Sequence, residues 1–153
     1  MSEFSGFSAS IRARAGFVRE NADRLTRKIA MVADQAIVSA TPVDTGRARS
    51  NWIVTLDGPA VGVRDAYFEG LGGATASANV QAAIEQGLRV TSQYNGDTHR
   101  EIHITNNLPY IERLNDGWSR QAPAAFVQEA LHATAAAFNG MTLAVKDGVP
   151  RGN

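Results

Sequence analysis

Cysteine is missing from this chain of 153 residues, and long apolar runs are missing as well. Without cysteine, the protein cannot contain a disulfide framework, a thiolate zinc site or a cysteine nucleophile. No apolar run approaches the roughly 20 residues that span a bilayer, so we expect no membrane partner. The first six residues also lack the basic-then-apolar order of a signal peptide. We therefore expect the protein to be made and folded in a cytoplasm.

An excess of either charge is also missing, because 15 Lys and Arg residues balance 15 Asp and Glu residues. A neutral chain gives no global argument for binding nucleic acid or a membrane. Apolar residues make up 44% of the chain and charged residues 20%, as in ordinary globular proteins. The length suits a single domain, 1–153. We expect residues 1–9 and 141–153 to be arms that are flexible or become ordered on a partner.

The strongest pattern is an apolar stripe in the first third of the chain. Its residues recur at alternating steps of four and three, which is the spacing of one helix face. The stripe consists of Ile11, Ala15, Val18, Ala22, Leu25, Ile29, Val32 and Ala36. It predicts a helix over about 10–39, well above the average length of about 11–12 residues. We expect the stripe to pack on the domain's own sheet, and part of the helix to reach a neighbouring subunit.

Basic residues on the other faces of this helix have two interpretations; they include Arg12, Arg19 and Arg27. Lys and Arg side chains neutralise phosphates, so the helix could contact DNA. Acidic residues are interspersed, however, and Phe17 is the only aromatic available for stacking on bases. This composition favours a solvated face or a contact with another subunit.

A tight turn is predicted after the helix. Pro42 has no N–H to donate and restricts the residue before it, so the helix ends there. Asp44 and Thr45 can accept hydrogen bonds from backbone N–H groups further along, and Gly46 tolerates positive φ. The turn leads into a strand at 51–57, rich in aromatic and β-branched residues. The strand face expected to receive the helix is formed by Trp52, Val54 and Leu56.

The remainder of the chain predicts a loop, two helices and a second strand. Residues 58–76 are rich in glycine but match neither a P-loop nor a dinucleotide fingerprint, so we expect no phosphate site there. Helices are expected at 77–90 and 124–138, with a strand at 100–106 between them. The buried face of the last helix is predicted to contain Val127, Leu131, Ala135 and Phe138. The predicted fold class is α+β: a long N-terminal helix packed on a small, mainly antiparallel sheet, with an inserted helix and a C-terminal helix.

One polar strand face could carry chemistry. At a period of two, the same side of the second strand would present Asp97, His99, Glu101 and His103. Two imidazoles and two carboxylates suit zinc or another divalent transition metal. The same alternation is typical of the solvated or intersubunit face of any half-buried strand, and ligands about 7 Å apart do not close a site. We therefore assign no catalytic, cofactor-binding or metal-binding residue, and we interpret His132 as a packing residue of the last helix.

Two blocks of the sequence resemble a known family. The first, at 41–52, reads Thr-Pro-Val-Asp-Thr-Gly-Arg-Ala-Arg-Ser-Asn-Trp. The second, at 106–127, has an Asn that ends a strand, a Pro-Tyr helix, a Gly, and a polar loop with Gln-Ala-Pro before the final helix. Both resemble the tail-component family of long-tailed bacteriophages, which is similar to tail-completion proteins. Where some relatives carry Glu two residues before the Gly, this chain has Asn115 followed by Asp116, so no role for that carboxylate is carried over.

The resemblance implies a structural, non-enzymatic virion protein of the neck or tail, made in the host cytoplasm. It implies a six-fold or twelve-fold ring of copies that joins the head connector to the tail around the DNA channel. Its partners would be the head-closure or connector protein and the tail terminator or tail tube proteins. DNA would pass through the channel without sequence-specific binding, and no cofactor is implied.

Aromatic residues in loops are the candidate contacts of such a ring. Trp118 lies in a polar Gly-Trp-Ser loop, where a tryptophan either anchors an interface or folds back over its own core. Tyr67 and Phe68 lie in the glycine-rich loop, and we expect self-association through this loop, the long helix and the termini. Two other functions stay open: a small metal-dependent enzyme that uses the His99/His103 face, and a DNA-binding module that uses the basic helix.

Overall fold

The structure, a computed structural model, describes residues 2–141, with side chains from residue 5 onward. The elements of this part of the chain are, in order, α1 (Ser2–Ala40), α2 (Arg47–Ser50), β1 (Ile53–Leu56), α3 (Ala76–Thr91), β2 (Ile102–Thr105), α4 (Ile111–Arg113) and α5 (Phe126–Phe138). A π turn, Leu114–Trp118, extends α4. The predicted α+β class, with a long N-terminal helix and an antiparallel sheet, is confirmed.

Helix α1 starts earlier than predicted. Residues 2–9, expected to belong to an arm, form its first two turns, and residues 5–9 are mostly exposed. The arm expected at 141–153 lies outside the described residues, apart from Met141. At a rise of 1.5 Å per residue, α1 is roughly 58 Å long. Burial begins near Asp23, so the N-terminal half of α1 projects from the domain.

The buried face of α1 differs from the predicted stripe. The buried positions are Asp23, Ala33, Asp34, Ile37 and Val38, whereas Ile11, Val18 and Ile29 are exposed. The sequence pattern missed this face because two of its members, Asp23 and Asp34, are carboxylates, which are normally counted as solvent-facing. The C-terminal half of α1 packs mainly against α3 and α5.

The two strands form an antiparallel pair in which Ile53 lies opposite Thr105 and Leu56 lies opposite Ile102. The side chain of Gln86 on α3 hydrogen-bonds the backbone of Val54: its Oε1 accepts from the N–H at 3.1 Å, and its Nε2 donates to the carbonyl at 2.9 Å. Helix α3 thereby satisfies the polar groups of Val54 on the free edge of β1, which would otherwise be open to pairing.

The core lies where α1, α3 and α5 meet around Trp52. Its buried members are Ile37, Val38, Trp52, Ala83, Phe126 and Ala130. The face predicted for α5 is wrong at Leu131 and Ala135, which are exposed, whereas Val127 packs partly buried against the core. The fully buried positions are Phe126, Ala130 and Thr134. Thr134 tolerates burial since its hydroxyl donates to the Ala130 carbonyl at 2.8 Å. None of the helices in the described part of the chain is both long and apolar enough to cross a membrane.

A carboxylate is buried where α1 packs on α3. Asp34 is 2% exposed, and its Oδ1 has no hydrogen-bond partner among the described residues. Burial raises the pKa of Asp34 to about 7. Gly87 makes room for this side chain, because a Cβ at residue 87 would collide with the carboxylate and lie 3.1 Å from a methyl group of Val54. The close approach explains a glycine in the middle of α3.

Candidate functional site

The turn after α1 is the first wall of the candidate site. Thr41 ends the helix: its N–H and hydroxyl both donate to the Ile37 carbonyl, at 3.1 and 2.7 Å. The indole Nε1 of Trp52 donates to the Thr41 hydroxyl at 2.8 Å. Because Thr41 and Trp52 are both buried, their hydrogen bond fixes the start of the turn to the core. Pro42, the next residue, has no N–H that needs a partner.

The two acceptors of the turn have different partners. Thr45 acts locally, since its hydroxyl accepts from the Arg47 N–H at 3.5 Å. Asp44 instead reaches the glycine-rich loop, where its Oδ1 accepts from the Gly72 N–H at 3.2 Å. Gly46 has a φ of 81°, and a Cβ there would collide with the Asn79 amide. The turn is therefore held by the loop beyond it as well as by its own residues.

Arg49 of the first resemblance block stabilises the end of α1. Its Nε donates to the Thr41 carbonyl at 2.7 Å, and a terminal nitrogen donates to the Ser39 carbonyl at 3.3 Å. Carbonyl groups at a helix C-terminus lack intrahelical partners, so a guanidinium satisfies them well. Burial lowers the pKa of Arg49 from its usual value.

The second wall is formed by α4, the π turn and the loop after it. Asn115 ties this segment to α5: its Oδ1 accepts from the Val127 N–H at 3.0 Å, and its Nδ2 donates to Gln128 Oε1 at 2.9 Å. Asn115 thus satisfies an otherwise unpaired donor at the start of α5, a role for which an amide suffices. Trp118 is 76% exposed, with the Arg113 guanidinium 5.6 Å from its ring centre.

The two walls meet at one hydrogen bond, in which the Val43 N–H donates to Gln121 Oε1 at 3.1 Å. They enclose an open groove of about 470 Å³ whose lining includes Val43, Asp44, Tyr110, Trp118 and Gln121. Burial raises the pKa of Tyr110, so its hydroxyl stays a neutral donor. With an exposed indole at its rim and mixed polar and apolar walls, the groove suits a protein segment.

Tyr67 and Phe68 lie apart from the groove lining, on the glycine-rich loop. The Asn79 side chain holds this loop: its Oδ1 accepts from the Phe68 N–H at 2.9 Å, and its Nδ2 donates to the Phe68 carbonyl at 2.8 Å. Asn51 does the same for Arg64, with both bonds at 2.8 Å. Phe68 is half exposed, whereas Tyr67 is partly buried under the Arg64 guanidinium, 3.4 Å from its ring centre.

The three arginines named as candidate contacts on α1 have different surroundings. Arg27 donates from Nε to the Tyr94 carbonyl at 2.8 Å, so it helps to hold the turn before β2. Arg19 forms an exposed ion pair with Asp97 at 3.0 Å. Arg12 donates to the Ser8 hydroxyl one turn earlier, at 3.0 Å. Arg12 and Ser8 both lie in the part of α1 that projects from the domain.

The four residues predicted to share one face of the second strand do not come together as a group, and only Glu101 and His103 contact each other. Strand β2 begins only at Ile102, so Asp97 and His99 lie in the turn before it. His99 Nδ1 lies 2.7 Å from Asp57 Oδ2, and His103 Nε2 lies 2.9 Å from Glu101 Oε2. The His99 hydrogen bond, with a further bond from the Arg100 N–H, lowers the pKa of Asp57. Within residues 2–141, no group of three His, Asp or Glu side chains is arranged to hold a metal ion.

Several residues that shape the site were missed in the sequence. With these hydrogen bonds Asn51, Asn79 and Asn115 each link segments 11–13 residues apart, and the first two are buried. A periodicity argument assigns asparagine to turns and surfaces, so these roles were not predicted, although Asn51 and Asn115 lie in the two resemblance blocks. No protein-family model matches the chain, and neither a curated protein nor a solved structure is significantly similar to it.

Proposed function

We propose that this protein is a structural component of the neck or tail of a long-tailed bacteriophage. In this proposal, copies form a ring around the DNA channel that joins the head connector to the tail. The ring is assembled in the host cytoplasm and stays in the virion. The partners are a head-closure or connector protein on one side and a tail terminator or tail tube protein on the other.

The observation that supports this function most is the meeting of the two resemblance blocks. They are separated by more than fifty residues in the sequence, yet they form the two walls of one groove and share the Val43–Gln121 hydrogen bond. The two blocks thereby share one surface, which a single partner could contact.

Exposed apolar side chains give a second line of support. Trp118, Val61 and Leu71 are 76%, 97% and 79% exposed, and they lie on segments fixed by hydrogen bonds. In an assembly these side chains would be covered by neighbouring proteins.

The experiment is complementation of a phage that lacks this gene. We expect the wild-type chain to restore infectious particles and to be present in them after purification. Trp118→Ala should lower the titre at least tenfold and leave filled heads separate from tails, since interface tryptophans commonly contribute about 2 kcal/mol or more. Leu131→Ala is the matched control, because Leu131 is exposed on α5 and does not line the groove.

The complementation experiment separates the function from the site. Absence of the wild-type protein from purified particles would contradict the proposed function. A normal titre with Trp118→Ala, in a variant shown to be folded by circular dichroism, would exclude the groove as the contact and leave the function standing.

A further inference from the structure

Two exposed surfaces of this chain are complementary to each other. We propose that the projecting half of α1, residues 5–19, binds the 61–71 segment of the glycine-rich loop on a second copy. The contact rests on the proposed function, in that it would join neighbouring subunits of the ring. It can nevertheless fail while that function stands.

The first surface is an apolar line with positive charge beside it. Phe7 and Ile11 lie one helical turn apart and are 67% and 50% exposed, and Val18 continues the line two turns later. Residues 5–19 contain three arginines, Arg12, Arg14 and Arg19, and no acidic residue. Neither Arg12 nor Arg14 has an ionic partner among the described side chains.

This half of α1 has little packing support from its own domain, although the exposed Arg19–Asp97 ion pair joins its end to the turn before β2. Isolated helices of about this length are marginal in water, and most helical stability in proteins comes from packing. Gly6 and Gly16 weaken the segment further, and a Cβ at either position would meet nothing within 4 Å. A surface on another molecule would supply the missing packing.

The second surface is apolar with negative charge beside it. Val61, Phe68 and Leu71 are exposed on the loop, and Val61 is 97% exposed. The two acidic residues of the loop, Asp65 and Glu69, are both exposed, whereas its one basic residue, Arg64, is half-buried against Tyr67.

A recess in this second surface can receive a side chain. It has a volume of about 390 Å³, and its lining includes Asp65, Glu69 and Leu71. Arg47 also lines the recess, with its Nε directed at the Arg64 carbonyl at 3.5 Å. Because Asn51 and Asn79 hold the loop in place, the recess is preformed, which lowers the entropic cost of binding.

Charge decides which pairing of copies is favoured. If two α1 arms paired with each other, arginines would face arginines, and like charges in contact are unfavourable. An arm on a loop instead joins Arg12 and Arg14 to Asp65 and Glu69 while covering apolar residues on both sides. Such a contact uses two different surfaces, and repeated around a suitable rotation it closes a ring.

The experiment uses two charge-reversed full-length variants. The arm variant carries Arg12→Glu and Arg14→Glu, and the loop variant carries Asp65→Lys and Glu69→Lys. All four positions are exposed, so each variant should fold, which circular dichroism and thermal unfolding would check. The size of each protein is measured by sedimentation velocity over a range of concentrations at low salt.

We expect the wild type to form multimers and each variant alone to associate at least tenfold more weakly. An equimolar mixture of the variants should restore the multimers, because each arm then meets a loop of opposite charge. Each of three results would overturn the contact: a wild type that stays monomeric, variants that assemble as the wild type does, or a mixture that shows no restoration.

Two further outcomes distinguish this contact from its alternatives. If the arm variant loses salt-dependent binding to a DNA duplex and the mixture stays monomeric, the arm binds phosphates and the subunit contact is refuted. Copies that associate through the two surfaces but are absent from purified particles would refute the proposed function and leave the contact standing.

Discussion

The two halves of α1 show how one helix can have two different reasons to be helical. In the C-terminal half, Ile37 and Val38 are buried in the core, and Asp23 accepts a hydrogen bond from the Gly96 N–H at 3.1 Å. In the N-terminal half, residues 5–19 are almost entirely exposed although the apolar stripe runs through them without a break. Tertiary packing supports the first half, and we attribute the apolar face of the second half to a partner. The same sequence pattern therefore has two physical meanings.

The largest expected effect concerns Asp34, in the packed half. The pKa of this carboxyl is about 7 in the folded protein, against an ordinary value of 3.8 for an aspartate in an unfolded chain. Between these two pH values the folded chain holds a proton on Asp34 that the unfolded chain has lost. The stability that this proton contributes is therefore fully present below pH 3.8 and is lost as the pH rises through 7. At about 1.4 kcal/mol per pKa unit, the loss is on the order of 4 kcal/mol.

Urea unfolding at a series of pH values measures this loss. Asp34→Asn should abolish the decline towards neutral pH, and an unchanged decline in that variant would contradict the assignment. Asp57→Asn is a control of opposite sign, because the His99 hydrogen bond lowers the pKa of Asp57. The stability that Asp57 contributes is present above the ordinary pKa of an aspartate and is lost as the pH falls through the lowered pKa. Replacing Asp57 should therefore change the free energy of unfolding only at acidic pH.

The next effect compares one substitution in the two halves. Ile37→Ala removes a buried side chain from the core and should lower the free energy of unfolding by about 2–5 kcal/mol. Ile11→Ala should change it by less than about 0.5 kcal/mol at concentrations where the protein is monomeric, since Ile11 has no core contact to lose. Denaturant unfolding of both variants at low concentration makes the comparison. Similar losses in the two variants would mean that the projecting half is packed on its own domain.

The order and type of the larger elements could be predicted from the sequence. The steps of four and three across Ile11 to Ala36 are specific to a helix, and Pro42 marks its end by chemistry that does not depend on the rest of the fold. Short α2 was missed, because four residues are too few for a period to show. Helix α2 is stabilised by a side chain that follows it, because Asn51 Nδ2 donates to the Arg47 carbonyl at 2.7 Å and to the Arg64 carbonyl at 2.8 Å.

Burial was harder to predict than helicity. In α5, alanines occupy several faces, so the choice between the Leu131 face and the Ala130 face depended on what the helix meets in the fold. In the candidate site, the conformational need for Gly46 followed from its chemistry, but the meeting of Val43 with Gln121 did not. These two residues are 78 positions apart, and nothing in a local pattern relates them.

The smallest effects come from one substitution, Gly→Ala, which should have opposite signs in two helices. At Gly87 of α3, the new Cβ would collide with the Asp34 carboxylate, so the variant should lose about 1–3 kcal/mol of stability despite the better helix propensity of alanine. At Gly16 the space is open, and alanine should strengthen the projecting half of α1 locally by up to about 1 kcal/mol. Hydrogen exchange of amides 8–20 would detect that gain, which global unfolding would miss because this half can fray alone. Stabilisation by Gly87→Ala would show that Asp34 and Gly87 do not approach closely.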